Sequence, residues 1–259
     1  MKVIDTVGKS WKIYKNNLKD VLKIYGIILF FYIFLVLVII GIIVTGIRGG
    51  NSGESMASIL FGSSIILNLV FLLLICAFLS SLYKIMKKKK YSFIKELKEN
   101  KMQAVKLWII LICLGIIFIG IMLLTTHDAY FRLIEISFST PMLTTTEQEI
   151  MQYSNEMNSI VGELFLGIII VGILELVLVI LLFYLPLEMI INNSGFKQDI
   201  KNSIKKIKKN IFGVFCFMVL WGLLIYIPIL IPCIGFLISI FITIPMACIA
   251  YILYWDNKK

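Results

Sequence analysis

Six apolar runs, each of about twenty residues or more, set the terms on which this chain can fold. They are Ile24–Ile47, Ile59–Tyr83, Val105–Leu124, Ile160–Leu187, Ile211–Ile231 and Ile234–Trp255. Crossing the ~30 Å hydrocarbon core of a bilayer takes about 20 helical residues, so every run is long enough to span it. Composition agrees: 60% of residues are hydrophobic and 15% charged, against about 45–50% and 25% in soluble domains. A mean hydropathy of +0.98 and a length of 259 residues fit a single membrane domain, residues 1–259, with no soluble second domain.

The polar connections alternate in charge. Residues 1–23 carry six Lys against two Asp, and 48–58 one Arg and one Glu. Residues 84–104 carry eight Lys against two Glu, whereas the loop 125–159 has a single Arg against Asp128, Glu135, Glu147, Glu149 and Glu156. Residues 188–210 carry six Lys with Glu188 and Asp199, and the tail ends in Asp256, Lys258 and Lys259. The positive-inside rule therefore places both termini and both lysine-rich loops on the cytoplasmic side of the cell membrane. Lys and Arg outnumber Asp and Glu by 25 to 15, a surplus that on a soluble protein would suggest nucleic acid; its confinement to alternate membrane-edge segments removes that partner. The polar first 23 residues and the length of the first apolar run do not fit a cleaved signal peptide.

A short phrase recurs three times: apolar, Lys, any residue, apolar, Lys, any residue, Asn. It reads WKIYKNN at 11–17, IKELKEN at 94–100 and IKKIKKN at 204–210, each copy just ahead of the first, third or fifth run. In the first copy Trp11, Tyr14, Leu18, Val21, Leu22 and Tyr25 recur at helical spacing beside Lys12, Lys15, Lys19 and Lys23. In the third, Ile200, Ile204, Ile207 and Ile211 run beside Lys197, Lys201, Lys205 and Lys208. The middle copy is poorer, with Ile94, Leu97, Met102 and Val105 beside Lys95 and Lys98. The expected fold class is all-α: six transmembrane helices as three hairpins, each preceded by a basic amphipathic interfacial helix. Lys12, Lys15, Lys19, Lys95, Lys98, Lys201, Lys205 and Lys208 form a candidate surface for anionic phospholipid or a cytoplasmic protein partner, each lysine gaining about 1 kcal/mol from an anionic leaflet. The other reading is a topology anchor, since juxtamembrane lysines are routine.

Polar groups within the runs are few. Glu175 lies near the middle of the fourth, Glu163 nearer its outer end, and Asn68 well inside the second; together they are the candidate intramembrane polar site. With no cation at that depth, Glu175 is expected to be neutral or hydrogen-bonded to Asn68, Ser63 or Ser64, as a packing contact or as a proton or substrate site. Twelve residues separate Glu163 from Glu175, about 120° around a helix, so they do not make one carboxylate pair. His127 beside Asp128, with no serine or cysteine motif, reads as a polar helix end. Cys76, Cys113, Cys216, Cys233 and Cys248 fall in or beside spans and read as small packing residues, with no metal-binding spacing. No cofactor motif is present. Thr146 and Glu149 form a capping box from which the fourth span is expected to extend outward. Pro228 and Pro232 bracket a tight turn between the last two helices, and Pro245 should kink the last.

The segment FYLPLEMIINNSGFKQDIKNSIKKIKKN, then PILIPCIGF and the ending TIPMACIAYILYWDNKK, resembles the six-helix membrane domain fused to some glycerophosphoryl diester phosphodiesterases. That domain also occurs as stand-alone bacterial and archaeal membrane proteins. The matching features are Pro186, Ser203 opening the basic helix, Asn210 closing it, Tyr254 and Asp256 at the end, and Trp11 and Asn17 in the N-terminal unit. The resemblance implies no catalytic residue. Three function classes remain: a non-enzymatic membrane protein working through its basic helices in lipid or small-molecule handling; the permease of an ATP-driven exporter, including self-immunity export; and an intramembrane enzyme, disfavoured by the lack of clustered catalytic groups. Homo-oligomerisation is left open.

Overall fold

The computed structural model describes residues 3–48, 53–139, 147–231 and 234–257, and every regular element among them is helical. In order these are α1 (Val3–Asn16), α2 (Leu18–Arg48), α3 (Gly53–Met86), α4 (Phe93–Glu99), α5 (Lys101–Ser139), α6 (Glu147–Leu182), α7 (Leu185–Leu187), α8 (Phe196–Lys208), α9 (Ile211–Ile229), α10 (Ile234–Ile238) and α11 (Ile244–Asp256). π-Helical turns follow α7, at Glu188–Asn192, and α10, at Ser239–Thr243. Six stretches are long and apolar enough to cross a membrane: Leu18–Gly41, Ile65–Met86, Lys101–Leu124, Met157–Asn192, Ile211–Ile229 and Ile234–Asp256. This is a multi-pass α-helical membrane protein, and helices meet the demand that backbone groups in lipid bond within their own segment.

The chain forms two compact units, one of Met1–Ile109 with Ile180–Lys259 and one of Ile110–Val179. In the first, α2 and α3 pair antiparallel, with Tyr25 on Phe78 and Tyr32 on Phe71. α9 turns back into α10 where Gly235 meets the carbonyl of Pro228 so closely that any Cβ would fall on that oxygen. Phe183 packs edge-on against Tyr184, Phe217 and Tyr251, and Phe217 stacks on Tyr254 at 4.9 Å between ring centres. Trp255, Tyr184, Leu82, Val21 and Ile249 of this unit are fully buried. α1 packs along α11 and also touches α9. Its inward residues are small except for Tyr14, allowing the close approach typical of membrane helices.

A proline explains a hydrogen bond between distant parts of the chain. Pro245 has no N–H to return to the carbonyl one turn earlier, that of Phe241. Tyr14 supplies the missing donor, its hydroxyl reaching that carbonyl at 2.7 Å.

In the second unit Ala129 and Ile160 are buried together, flanked by Met157 and Leu164, and Arg132 pairs with Glu163. The loop expected at 125–159 is mostly helix: α5 runs on to Ser139 and α6 begins at Glu147. Pro141 gives the reason, since helices end at or before the residue preceding a proline and nothing earlier in that stretch forbids one. The helix of the fourth span extends ahead of the apolar run, as expected, from Glu147; Thr146 of the capping box lies outside the described residues, as do the side chains of His127 and Asp128.

Candidate functional site

The three copies of the phrase fold alike. Each ends at an asparagine that joins the basic helix to the span after it. The carbonyls of Asn17, Asn100 and Asn210 accept the N–H groups of Val21, Ala104 and Val214, each at 3.0 Å, opening the next helix. Asn17 and Asn100 turn their side-chain amides back to the carbonyls of Ile13 and Glu96 at 2.9 and 2.8 Å. Asn210 instead donates to the Tyr254 hydroxyl. A side chain that can bond its own backbone suits a residue belonging to two helices at once.

Each basic helix has separate faces. Thr6, Ser10 and Tyr14 of α1, Phe93 and Glu96 of α4 with Asn100, and Asp199, Ser203 and Ile207 of α8 are buried against the protein. Next round the helix come apolar side chains: Ile4 and Trp11 on α1 and Ile94 on α4, all exposed, and the half-buried Ile200 and Ile204 on α8. Beyond them stand the stripe lysines, with Lys19 following at the start of α2, and Lys12, Lys15, Lys19, Lys95, Lys98, Lys201, Lys205 and Lys208 are all exposed. At about 100° per residue the order from buried to apolar to lysine runs in the same rotational sense in all three helices.

This corrects the amphipathic reading in detail. Tyr14 and Val21 are buried while Trp11 and Leu18, expected on the same face, are exposed. In the middle copy the expected apolar positions Ile94 on α4 and Met102 and Val105 on α5 point outward, and Glu96 and Asn100 point in. Ser203 sits buried within α8 rather than opening it; the helix starts after Gly195, where Ser194 donates from its N–H at 3.2 Å and its hydroxyl at 2.7 Å to Asp199.

Buried carboxylates hold these helices in place. Glu96 accepts the Ser80 hydroxyl at 2.6 Å and pairs with Lys84 at the end of α3. Glu188, 0% exposed in the π-helical turn, accepts from Lys206, the Trp255 indole N–H at 2.8 Å and the Asn192 amide. The Lys206 ammonium also lies 4.6 Å from the centre of the Trp255 ring. Lys87 bonds Asp256 at 2.7 Å, which raises its pKa above the ordinary amine value, and Tyr91 donates to Asp20 at 2.9 Å, its hydroxyl raised by burial and then by that bond.

The intramembrane candidates are not gathered into a site. Glu163 pairs with Arg132, the single arginine of the expected 125–159 loop. Glu175 is exposed on α6, with no hydrogen-bond partner among the described residues of its unit, and Asn68 is exposed on α3. Cys76 is buried, Cys216 and Cys248 are half-buried, and Cys113 is exposed rather than packed. Sequence reasoning missed Glu188 and Glu96 as anchors. The signal was the third position of the phrase, Ile13, Glu96 and Lys206, where two of three copies carry the charge that meets the end of the preceding helix.

The fold defines a polytopic helical membrane protein with its lysines ordered at the starts of its hairpins. Comparison with protein families, with curated proteins and with solved structures finds no match.

Proposed function

We propose that the chain is a non-enzymatic protein of the cell membrane, its lysine-rich end facing the cytoplasm, and that its eight stripe lysines engage an anionic surface, either phospholipid or an acidic protein partner. The observation that supports this reading is the division of labour among the lysines. Those turned inward, Lys84 and Lys206, are taken by buried carboxylates, while all eight stripe lysines stay exposed. Among the described residues only Lys95 of these eight has an acidic partner, Glu99 at 3.7 Å, a contact worth little. A role in lipid handling fits the resemblance to the membrane domain of the phosphodiesterases.

Orientation is tested in a cysteine-free background. Ser154→Cys, at the exposed start of α6, should react with an impermeant thiol reagent in intact cells, and Ser92→Cys should not; the reverse pattern refutes the orientation. Co-purification of an ATPase would favour the exporter permease instead.

A further inference from the structure

We propose that α1, α4 and α8 gather a belt of anionic phospholipid around the lysine-rich end, the stripe lysines meeting headgroup phosphates sideways, within the plane of the membrane. This rests on the reading that the stripes engage an anionic surface, and it selects lipid over a cytoplasmic partner.

The argument is one of direction. On each helix the lysine stripe lies about 150–180° from the buried face, with apolar side chains between them. Ile4, Trp11 and Ile94 are 75%, 47% and 69% exposed and Ile200 and Ile204 of α8 are half-buried, and such side chains belong in the acyl boundary. With the protein on one side of the helix and lipid tails below it, the lysines on the opposite side must point outward along the membrane surface. A partner approaching from the cytoplasm would meet the remaining side instead. That side is mixed: Lys9 and Asn16 on α1, Glu99 on α4, and Lys209 with Gln198 and Asn202 on α8, the last two bonded to each other at 3.1 Å.

The helices are also not free to roll. α1 is fixed by the bond from Tyr14 to the Phe241 carbonyl and by the Trp221 indole N–H on Thr6 at 3.3 Å, α4 by Glu96 on Lys84, and α8 by Lys206 on Glu188. A lysine is a point charge without the planar fork of arginine, so the belt should select charge rather than headgroup shape.

The test uses the full chain reconstituted in mixed phosphatidylcholine and phosphatidylglycerol bilayers, with spin-labelled lipids reporting the motionally restricted shell. Selectivity for phosphatidylglycerol should be about fivefold or more at low salt, and should collapse near 1 M salt, where the Debye length is about 3 Å. Replacing all eight stripe lysines by Gln should remove the selectivity; Lys9→Gln with Lys209→Gln should keep it. Replacing one helix's lysines at a time should each remove about a third of the bound phosphatidylglycerol, which covers a failure of the eightfold variant to fold. Selectivity that survives the stripe changes, or is lost with Lys9 and Lys209, overturns the belt. A parallel arm measures polyglutamate binding to the detergent-solubilised chain. Stripe-dependent polyglutamate binding without lipid selectivity refutes the belt and leaves the broader reading standing; stripe-independence in both arms refutes both.

Discussion

Lys206→Met is the most informative single change. It leaves Glu188 fully buried with only two neutral donors, the Trp255 indole and the Asn192 amide. Removing one partner of a buried ion pair typically costs about 3–5 kcal/mol. The deficit should therefore fall at about 3–5 kcal/mol. The double variant Glu188→Gln with Lys206→Met removes both charges and should return to within about 1 kcal/mol of the parent. Unfolding in detergent micelles, followed by tryptophan fluorescence with Trp255 as the local reporter, measures all three. A single variant as stable as the parent, or a double variant no better than the single, would show that the pair does not anchor α8.

Tyr14→Phe should cost about 1–2 kcal/mol by orphaning the Phe241 carbonyl, and far less on a Pro245→Ala background, where residue 245 again has an N–H to give; equal cost on both backgrounds refutes the account, by a double-mutant cycle on the same unfolding assay. Gly213→Ala places a Cβ inside contact distance of the Asn210 side chain and the Tyr254 hydroxyl and should destabilise by about 1–3 kcal/mol, whereas Gly222→Ala, with nothing near its Cβ, should be neutral or better.

What the sequence shows and hides divides along physical lines. Apolar length is a local property, and the six crossing helices match the six runs to within a few residues at most ends. The stripe lysines were legible because a solvated or headgroup-facing charge needs no partner, so spacing alone places it. The buried faces were not legible, since Thr6, Ser10, Ser203 and Asp199 are residue types that belong at a surface. Ser10 bonds the Val7 carbonyl and Asp199 accepts from Ser194, both close in sequence, but Thr6 also accepts from Trp221, and Tyr14 reaches a carbonyl freed by a proline 231 positions along the chain. Glu188 was hidden likewise: its partners Lys206 and Trp255 lie 18 and 67 residues away.

The third position of the phrase carries the sharpest remaining test. In α4 it is an anion meeting Lys84 at the end of the preceding helix; in α8 it is a cation meeting Glu188 in the same role. The two pairs are sign-reversed equivalents, so the sign alone should not matter to the joint. Exchanging the charges as Lys84→Glu with Glu96→Lys should be tolerated to within about 1 kcal/mol, because the Ser80 hydroxyl that donates to Glu96 can accept from a lysine just as well. Glu188→Lys with Lys206→Glu should not be tolerated. There the indole N–H of Trp255 is a donor only, and a lysine at 188 would bury an ammonium against it with nothing to accept its proton on that side. That exchange should cost at least about 2 kcal/mol more than the α4 exchange. If both exchanges behave alike in the unfolding assay, the anchoring of these helices depends on charge pairing in general, and the specific donors around Glu188 do not contribute.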